Sequence, residues 1–331
     1  MLDIFKNDAF SVVALTLAIN KLKHKPGQVG SLGIFKPSST HLTAISVEEK
    51  SGVLTLVAPT PRGGPGVTVG KTDRNLRSIA VPHFEINDAI MAESVQGVRA
   101  FGSETELETV MGKVAERLDI HASSHNVTTE YSRIGALKGV VKYAGGSELN
   151  LFNLFEVTAP TEVDFDLDNA NPAPGALRKK CAAVVRQITE ALDGVVISGV
   201  HAYCSKEFFD DLVAHPEVRD TYLGWVQAEE LRHGYAYGAF PFGGIMWEEY
   251  RGSVGGTSFV DADKAHIFPI ADIYHTVYAP ADYLETVNTL GKAMYAKQYE
   301  MPNGKGVHFD TQTNQVNFCS RPNALIPARR T

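Results

Sequence analysis

A chain of 331 residues with 44% hydrophobic and 21% charged side chains carries enough apolar material for a sizeable core, which excludes wholesale disorder and predicts two domains. Its net charge of -7 excludes a general nucleic-acid binder, because phosphate neutralisation needs an excess of Lys and Arg on one face. Three widely separated cysteines, Cys181, Cys204 and Cys319, fit a reducing cytosol better than a disulfide framework.

Residues 1–45 read as an arm. Asp8 is placed to cap a short helix through Phe10, Val13, Leu17 and Leu22, and Pro26 with Gly27 stops it. Lys21, Lys23 and Lys25 form a basic knot, best explained as a solvated helix end. The apolar run 12–19 is broken by Thr16 and lacks the basic start and cleavage site of a signal peptide. It is too short to span a bilayer, so no membrane partner is expected.

From Leu42 the pattern changes to period two. Leu42, Ala44 and Ser46 alternate, Lys50-Ser51-Gly52 reads as a turn, and Val53, Thr55 and Val57 resume, which predicts a hairpin. The stretch Pro59-Thr60-Pro61-Arg62-Gly63-Gly64-Pro65-Gly66 is too rich in Pro and Gly for a helix or a central strand. A second extended run follows over 75–82, so 46–82 as a whole reads as a two-stranded arm with a Pro/Gly tip. Such a ribbon has little core of its own and must lie on something else.

Residues 103–143 read as one long helix. Ser103 and Glu106 have the spacing of a capping box, and Glu104, Glu106 and Glu108 suit the positive end of the helix dipole. Leu107, Met111, Val114 and Leu118 form one apolar stripe; Ile120, Val127, Tyr131, Ile134 and Val141 form a second in another phase. A helix of that length spans about 60 Å. No single compact core buries it, so it reads as a strut.

Beyond Ala144-Gly145-Gly146, residues 149–157 and 163–167 look strand-like, and Asn171-Pro172-Ala173-Pro174-Gly175 is the clearest linker. The pattern then alternates: helix 176–192, buried strand 195–200, helix 206–212 and a helix around 219–231. That is the signature of a compact α/β unit. Residues 235–250 read as paired strands, with Ile245 and Trp247 on one face and Met246, Glu248 and Tyr250 on the other. Strands follow at 264–269 and 293–298, with a terminal hairpin near Val307 and Val316. No internal repeat is present.

Each candidate for chemistry has a duller reading that explains it better. His121 and His125 have the four-residue spacing of a metal-binding helix, but Ala122 stands where the usual glutamate would, and no third ligand is placed. Asp164, Asp166 and Asp168 resemble the opening of a calcium loop. Asn169 and Gly175 occupy the positions of its turn glycine and bidentate glutamate, so one acidic strand face is the better reading. Gly63-Gly64-Pro65-Gly66 with Gly70 has no helix opening after it and no Gly-Lys-Ser/Thr ending, which argues against a phosphate cradle. Cys204 precedes Ser205, a helix cap, with His201 three residues earlier; with no partner acid it reads as a buried small hydrophobe. No catalytic, cofactor or metal residue is assigned.

Several stretches together resemble one family. They are Phe10-Ser11-Val12-Val13-Ala14-Leu15-Thr16 through Asn20-Lys21-Leu22, Ala58-Pro59-Thr60-Pro61-Arg62-Gly63, and Gln96-Gly97-Val98-Arg99-Ala100-Phe101-Gly102-Ser103. Further on come Ile134-Gly135-Ala136-Leu137-Lys138-Gly139, Val163-Asp164-Phe165-Asp166-Leu167 and Glu248-Glu249-Tyr250-Arg251-Gly252. The last are Tyr295-Ala296-Lys297-Gln298 and Arg321-Pro322-Asn323-Ala324-Leu325-Ile326. In this order, over essentially the whole chain, they are similar to the major capsid protein E family of tailed bacteriophages (Caudoviricetes), in its lambda-like branch.

The resemblance implies an α+β protein with the Hong Kong 97-type capsid fold. It implies an N-terminal arm (1–45), an extended loop (46–82), a peripheral domain (83–175) with its spine helix at 103–143, an axial domain (176–285), and a return to the peripheral domain (286–331). It implies a structural head protein, not an enzyme, that needs no cofactor. The implied partners are its own copies in hexamers and pentamers, a separate scaffolding protein, a portal protein, and packaged double-stranded DNA through weak non-specific contact. A decoration protein is left open. The protein would reside in the virion capsid, and in the host cytoplasm during assembly. A cargo-holding, encapsulin-like nanocompartment shell is the alternative within the same fold. If the arm crosses a neighbour, basic Arg62, Lys71, Arg74 and Arg77 are placed to meet acidic Glu104, Glu106 and Glu108 across the subunit boundary.

Overall fold

The computed structural model describes residues 27–50, 74–94, 96, 110–169, 171–219, 239–254 and 256–331. The N-terminal helix, the Pro/Gly tip, the start of the long helix and all but the first residue of the helix expected over 219–231 therefore lie outside the described residues.

The described chain opens with a short helix, α1 (Gln28–Leu32), and strand β1 (Lys36–Ser39). Strands β2 (Ala44–Lys50) and β3 (Arg74–Ala80) then pair with each other, from Ala44 opposite Ala80 to Lys50 opposite Arg74. This is the two-stranded arm expected over 46–82. The hairpin expected within 42–59 is corrected, because the partner of 44–50 is a strand more than twenty residues further on. Two stretches of the same period look alike to the eye, and only the pairing distinguishes them.

Strand β4 (His83–Met91) leads towards helix α2 (Val110–Lys138). The helix stops five residues earlier than expected. Gly139 adopts φ 80°, and a Cβ there would meet the Phe152 ring at 2.3 Å; only glycine makes that left-handed step cheaply. Val141 is therefore buried from β5 (Val140–Lys142), which pairs with β6 (Glu148–Asn150), and not from the helix. The strand expected over 149–157 is mostly a helical turn, α3 (Leu151–Phe155), because the Asn150 side chain caps it by accepting from the Asn153 N–H at 3.1 Å.

Strand β7 (Val163–Asp164) and helix α4 (Ala176–Leu192) follow. Leu177, Cys181, Val184, Ile188 and Leu192 put every buried residue of α4 on one face. Strand β8 (Ile197–Cys204) runs into helix α5 (Lys206–Ala214), where Ser205 caps through its hydroxyl to the Phe208 N–H at 3.3 Å. Strands β9 (Phe240–Phe242) and β10 (Ile245–Glu249) pair antiparallel, and β11 (Ser253–Val254) pairs with β12 (Thr257–Ser258). Strands β13 (Lys264–Ala271), β14 (Tyr274–Tyr278), β15 (Tyr295–Glu300), β16 (Gly306–Cys319) and β17 (Ile326–Arg329) complete the chain.

Two larger sheets result. One has six strands in the order β7-β17-β13-β8-β10-β9; the other is β1-β14-β16-β15, with β4 also paired to β16. The terminal hairpin expected near Val307 and Val316 is instead the single 14-residue strand β16. It pairs with β4 from Gly306 to Asn314, with β15 from Val307 to Gln312, and with β14 from Gln315 to Cys319. The C-terminal β17 crosses back into the six-stranded sheet beside β13 and β7. Around Trp247, which is fully buried, Phe165 and Phe208 pack at 5.5 and 5.9 Å, and the indole N–H donates to the Phe242 carbonyl. Burying each such ring contributes about 1.5–3 kcal/mol.

Candidate assembly surfaces

Among the described residues the β2–β3 ribbon is tied to the body near its base. Ile45 and Ile79 are buried there, whereas Ser46, Ser78 and Ala80 are exposed. Arg77 reaches back to α3, donating to the Leu154 carbonyl at 2.7 Å and lying 3.1 Å from the Glu156 carboxylate. That pair holds the Glu156 carboxyl below its ordinary value, chiefly through the hydrogen bond from Arg77. Among the seven residues expected to pair between subunits, Arg77 is thus engaged within its own chain. Arg62, Lys71, Glu104, Glu106 and Glu108, and the side chain of Arg74, lie outside the described residues.

The N-terminal segment joins the body at a buried carboxylate that sequence reasoning passed over. Glu130, on α2, accepts from the Val29 and Gly30 N–H groups at 2.7 and 3.0 Å and from the Tyr250 hydroxyl at 3.0 Å. A Cβ at Gly27 would lie 2.1 Å from the Glu130 side chain. Gln28 completes the joint, donating to Glu248 and to the Glu249 carbonyl at 2.6 and 2.8 Å and accepting from the Arg251 N–H at 2.7 Å. The signal in the sequence was a glutamate one residue before Tyr131 and four before Ile134, on the side of the helix that faces the core.

His121 and His125 are buried against Thr311 of β16, at 3.0 and 3.1 Å, and His121 lies 3.4 Å from Asp88. The network closes with both rings neutral. His121 donates to Asp88 and accepts from the Thr311 hydroxyl, whose oxygen accepts from His125. Burial pushes the His125 pKa down to about 4, with neighbouring His121 adding to the effect; burial also lowers His121. The same face of β16 continues the pattern: Gln315 donates to Thr129, and Asn317 donates to Ser132 at 3.1 Å and accepts from Thr276 at 2.6 Å. These two histidines stitch a helix to a sheet. Ile120 and Val127 of the second expected stripe are exposed, since polar residues take the buried positions instead.

The remaining candidates separate. Asp164 pairs with Arg329 at 2.9 Å, and Asp166, at φ 54°, accepts from Asn169; Phe165 and Leu167 between them are buried. Cys204 is fully buried, and burial raises its pKa well above the ordinary thiol value, so it is no nucleophile. His201 points to Glu248 at 3.0 Å. Among the described residues no group of three or more His, Cys, Asp or Glu is arranged to hold a metal ion, and no helix is long and apolar enough to cross a membrane.

Two apolar features stand out on the surface of the described residues. An open groove of about 380 Å³ lies beside α2, lined by Phe84, Val127, Tyr131, Tyr143, Val254 and Phe259. A ridge carries Leu284, Val287 and Leu290 on the loop between β14 and β15.

A long helix laid across one sheet, a second sheet sharing a continuous core with the first, and a two-stranded ribbon make up the fold of the tailed-phage capsid class. The solved structures that share this fold agree. A prophage protein of E. coli CFT073 described as a capsid protein superposes with TM-score 0.59 at 9% identity, over 97% of this chain and 99% of that one. The capsid of Ralstonia phage GP4 gives 0.53 at 9% identity, over 90% and 87%. Residues 11–330 match the family described as Phage major capsid protein E. The chain is 31% identical over 326 residues to the major capsid protein of Pseudomonas phage KPP10, covering 92% of each. It is 28% identical over 366 residues to that of Salmonella phage Felix O1 (isolate Felix O1-VT1), covering 99% and 98%. The chain belongs to the phage major capsid protein E family. It is a structural capsid protein, and neither curated relative is named as an enzyme or a cargo compartment.

Proposed function

We propose that this chain tiles a closed icosahedral head around double-stranded DNA, in hexamers and pentamers formed through heterologous contacts. The observation that carries this reading is the β2–β3 ribbon, which pairs with neither large sheet among the described residues and, among its described side chains, buries only Ile45 and Ile79. A two-stranded ribbon is marginal alone. Lying on a neighbour supplies what it lacks. Under this reading 1–45 is the N-terminal arm, docked on the body over residues 27–39, 46–82 the extended loop, 83–175 with 286–331 the peripheral domain, and 176–285 the axial domain. The β17 strand of the return segment then joins the axial domain by pairing with β13. Assembly takes place in the host cytoplasm on a separate scaffolding protein, with a portal protein at one vertex, and DNA is held by weak non-specific contact.

Expression of the chain alone and with its neighbouring genes, followed by size-exclusion chromatography and electron microscopy, tests this. Closed particles built mainly of this chain are expected. A species that stays monomeric under every condition, scaffold included, overturns the reading.

A further inference from the structure

Ten large hydrophobic side chains are exposed among the described residues, and four of them fall on one loop and the segment bonded to it. Leu284 is 89% exposed, Val287 59% and Leu290 53%, and Leu42 is 66% exposed. Hydrogen bonds tie the loop carrying the first three to itself and to its neighbours, with Thr286 buried and Asp282, Glu285, Thr289 and Lys292 exposed. Thr286 donates to the Ala281 carbonyl at 2.7 Å, Thr289 donates to the Thr286 carbonyl at 2.7 Å, and the Lys292 N–H donates to the Tyr295 hydroxyl at 2.9 Å. Lys297 holds Glu285 at 2.8 Å, and Gln312 donates to Asp282 at 2.6 Å. Leu42 is brought alongside by the Gly291 N–H, which donates to the Thr40 carbonyl at 3.0 Å, and by His41, 3.3 Å from the Asn288 carbonyl.

The loop buries Ala281, Tyr283 and Thr286 and leaves its larger aliphatic side chains outside, on a backbone tied down at several points. An apolar ridge of this kind marks a surface that is covered in the working state. Its position says by what. Leu42 lies between β1 of the body sheet and β2 of the ribbon, so the ridge sits beside the base of the ribbon that is proposed above to lie on a neighbour. We propose that the ridge is a contact between copies of this chain, and that a second copy covers Leu284, Val287 and Leu290 in the assembled shell. This deepens the shell reading above and rests on it.

All three native cysteines are buried, so a Val287→Cys variant offers a single reactive thiol. Its labelling by a maleimide is compared between purified particles and dissociated, folded subunits. Labelling is expected to be slower in particles by roughly ten-fold or more, as at the dry centre of an interface. Equal rates in the two states overturn the proposal, and so does protection that appears only when some other protein is bound to the shell. A Leu284→Asp, Leu290→Asp double variant changes two exposed side chains, so its circular dichroism and melting should match the parent. Its particle yield should fall by about ten-fold or more, and a yield equal to the parent's contradicts the proposal. Failure of the unmodified chain to form any particle strikes at the shell reading itself, a different result from particles in which residue 287 stays reactive.

Discussion

The six-stranded sheet and the middle of the seam between α2 and β16 are held by opposite means, although the seam's start is apolar too, with Val114, Leu118 and Ala122 packed with Phe309. Around β8, β10 and β13 the contacts are aromatic and aliphatic: Trp247, Phe165, Phe208, Phe240 and Phe268 are all buried to within 1% of full enclosure. Along the seam, His121, His125, Thr129 and Ser132 meet Thr311, Gln315 and Asn317 through hydrogen bonds. Apolar packing is strong but tolerant of small slips, whereas a row of buried donors and acceptors is satisfied at one register only. The first region gives the subunit its stability. The second fixes where the long helix lies on its sheet, the relation any regular tiling has to keep constant.

Removing the centre of the aromatic cluster should break this comparison at its stronger side. Trp247→Ala is expected to cost about 3–5 kcal/mol, read as a shift in the urea midpoint. A cost under about 1 kcal/mol would mean that the cluster is not the main core.

At the seam the expected lever is pH. The folded His125 pKa is about 4 against an ordinary value of 6.5, so below 6.5 the unfolded chain takes up a proton that the folded chain refuses. Stability from the neutral ring is thus complete above about 6.5 and is lost as pH falls to 4, by about 3 kcal/mol in total. Denaturation of the parent and of His125→Gln across that window should show a steeper loss in the parent. Identical slopes would remove the ring from the account.

Glu130 stands where the two regions meet. Glu130→Ala leaves the Val29 and Gly30 N–H groups and the Tyr250 hydroxyl without this acceptor, at a cost of about 1–3 kcal/mol, with faster hydrogen exchange at residues 29 and 30. Glu130→Gln, which keeps one acceptor, should cost less; equal costs would point to packing.

The smallest effect belongs to the subunit boundary. Since Arg77 is engaged with Glu156, the pairing across the boundary is best sharpened through Arg74 and Glu104. An exposed pair contributes about 0–1 kcal/mol. Arg74→Glu should lower particle yield modestly and Glu104→Lys in the same chain should partly restore it. Assembly of the double variant no better than that of the first would mean that the ribbon docks elsewhere.

Where one face of an element is apolar, the sequence was readable. Helix α4 begins and ends where its periodicity says, and Ser205 caps α5 as its position before Lys206 suggests. Ile245 and Trp247 are buried on one face of β10, as their alternation requires. The seam was not readable, for the same reason that makes it specific. From Asp310 to Gln315 every residue of β16 is polar and every one is buried, so the period-two contrast that reveals a strand is missing. Their partners, His121, Thr129 and Ser132, in turn fill the stripe that would have marked the buried face of α2. The helix expected over 103–143 overruns Gly139 because Val140 and Val141 carry on its apolar spacing while the backbone turns away. Of the assembly surfaces, the ribbon was visible as a run of strands with no core. The ridge was not, since Leu284, Val287 and Leu290 at intervals of three look like a buried helical turn until the loop is seen to face outward.

The length of β16 has a mechanical consequence. From Val307 to Gln312 it is bonded along both edges, to β4 and to β15, and from Gln315 onward to β14. The bonds of these antiparallel ladders run perpendicular to the strand. A pull along β16 therefore loads them in shear, all together, while a pull across it would open them one after another like a zip. A strand so placed acts as a tie-rod: tension along its axis, of the kind a filled container puts on its wall, is shared by three neighbouring strands before any single hydrogen bond has to give.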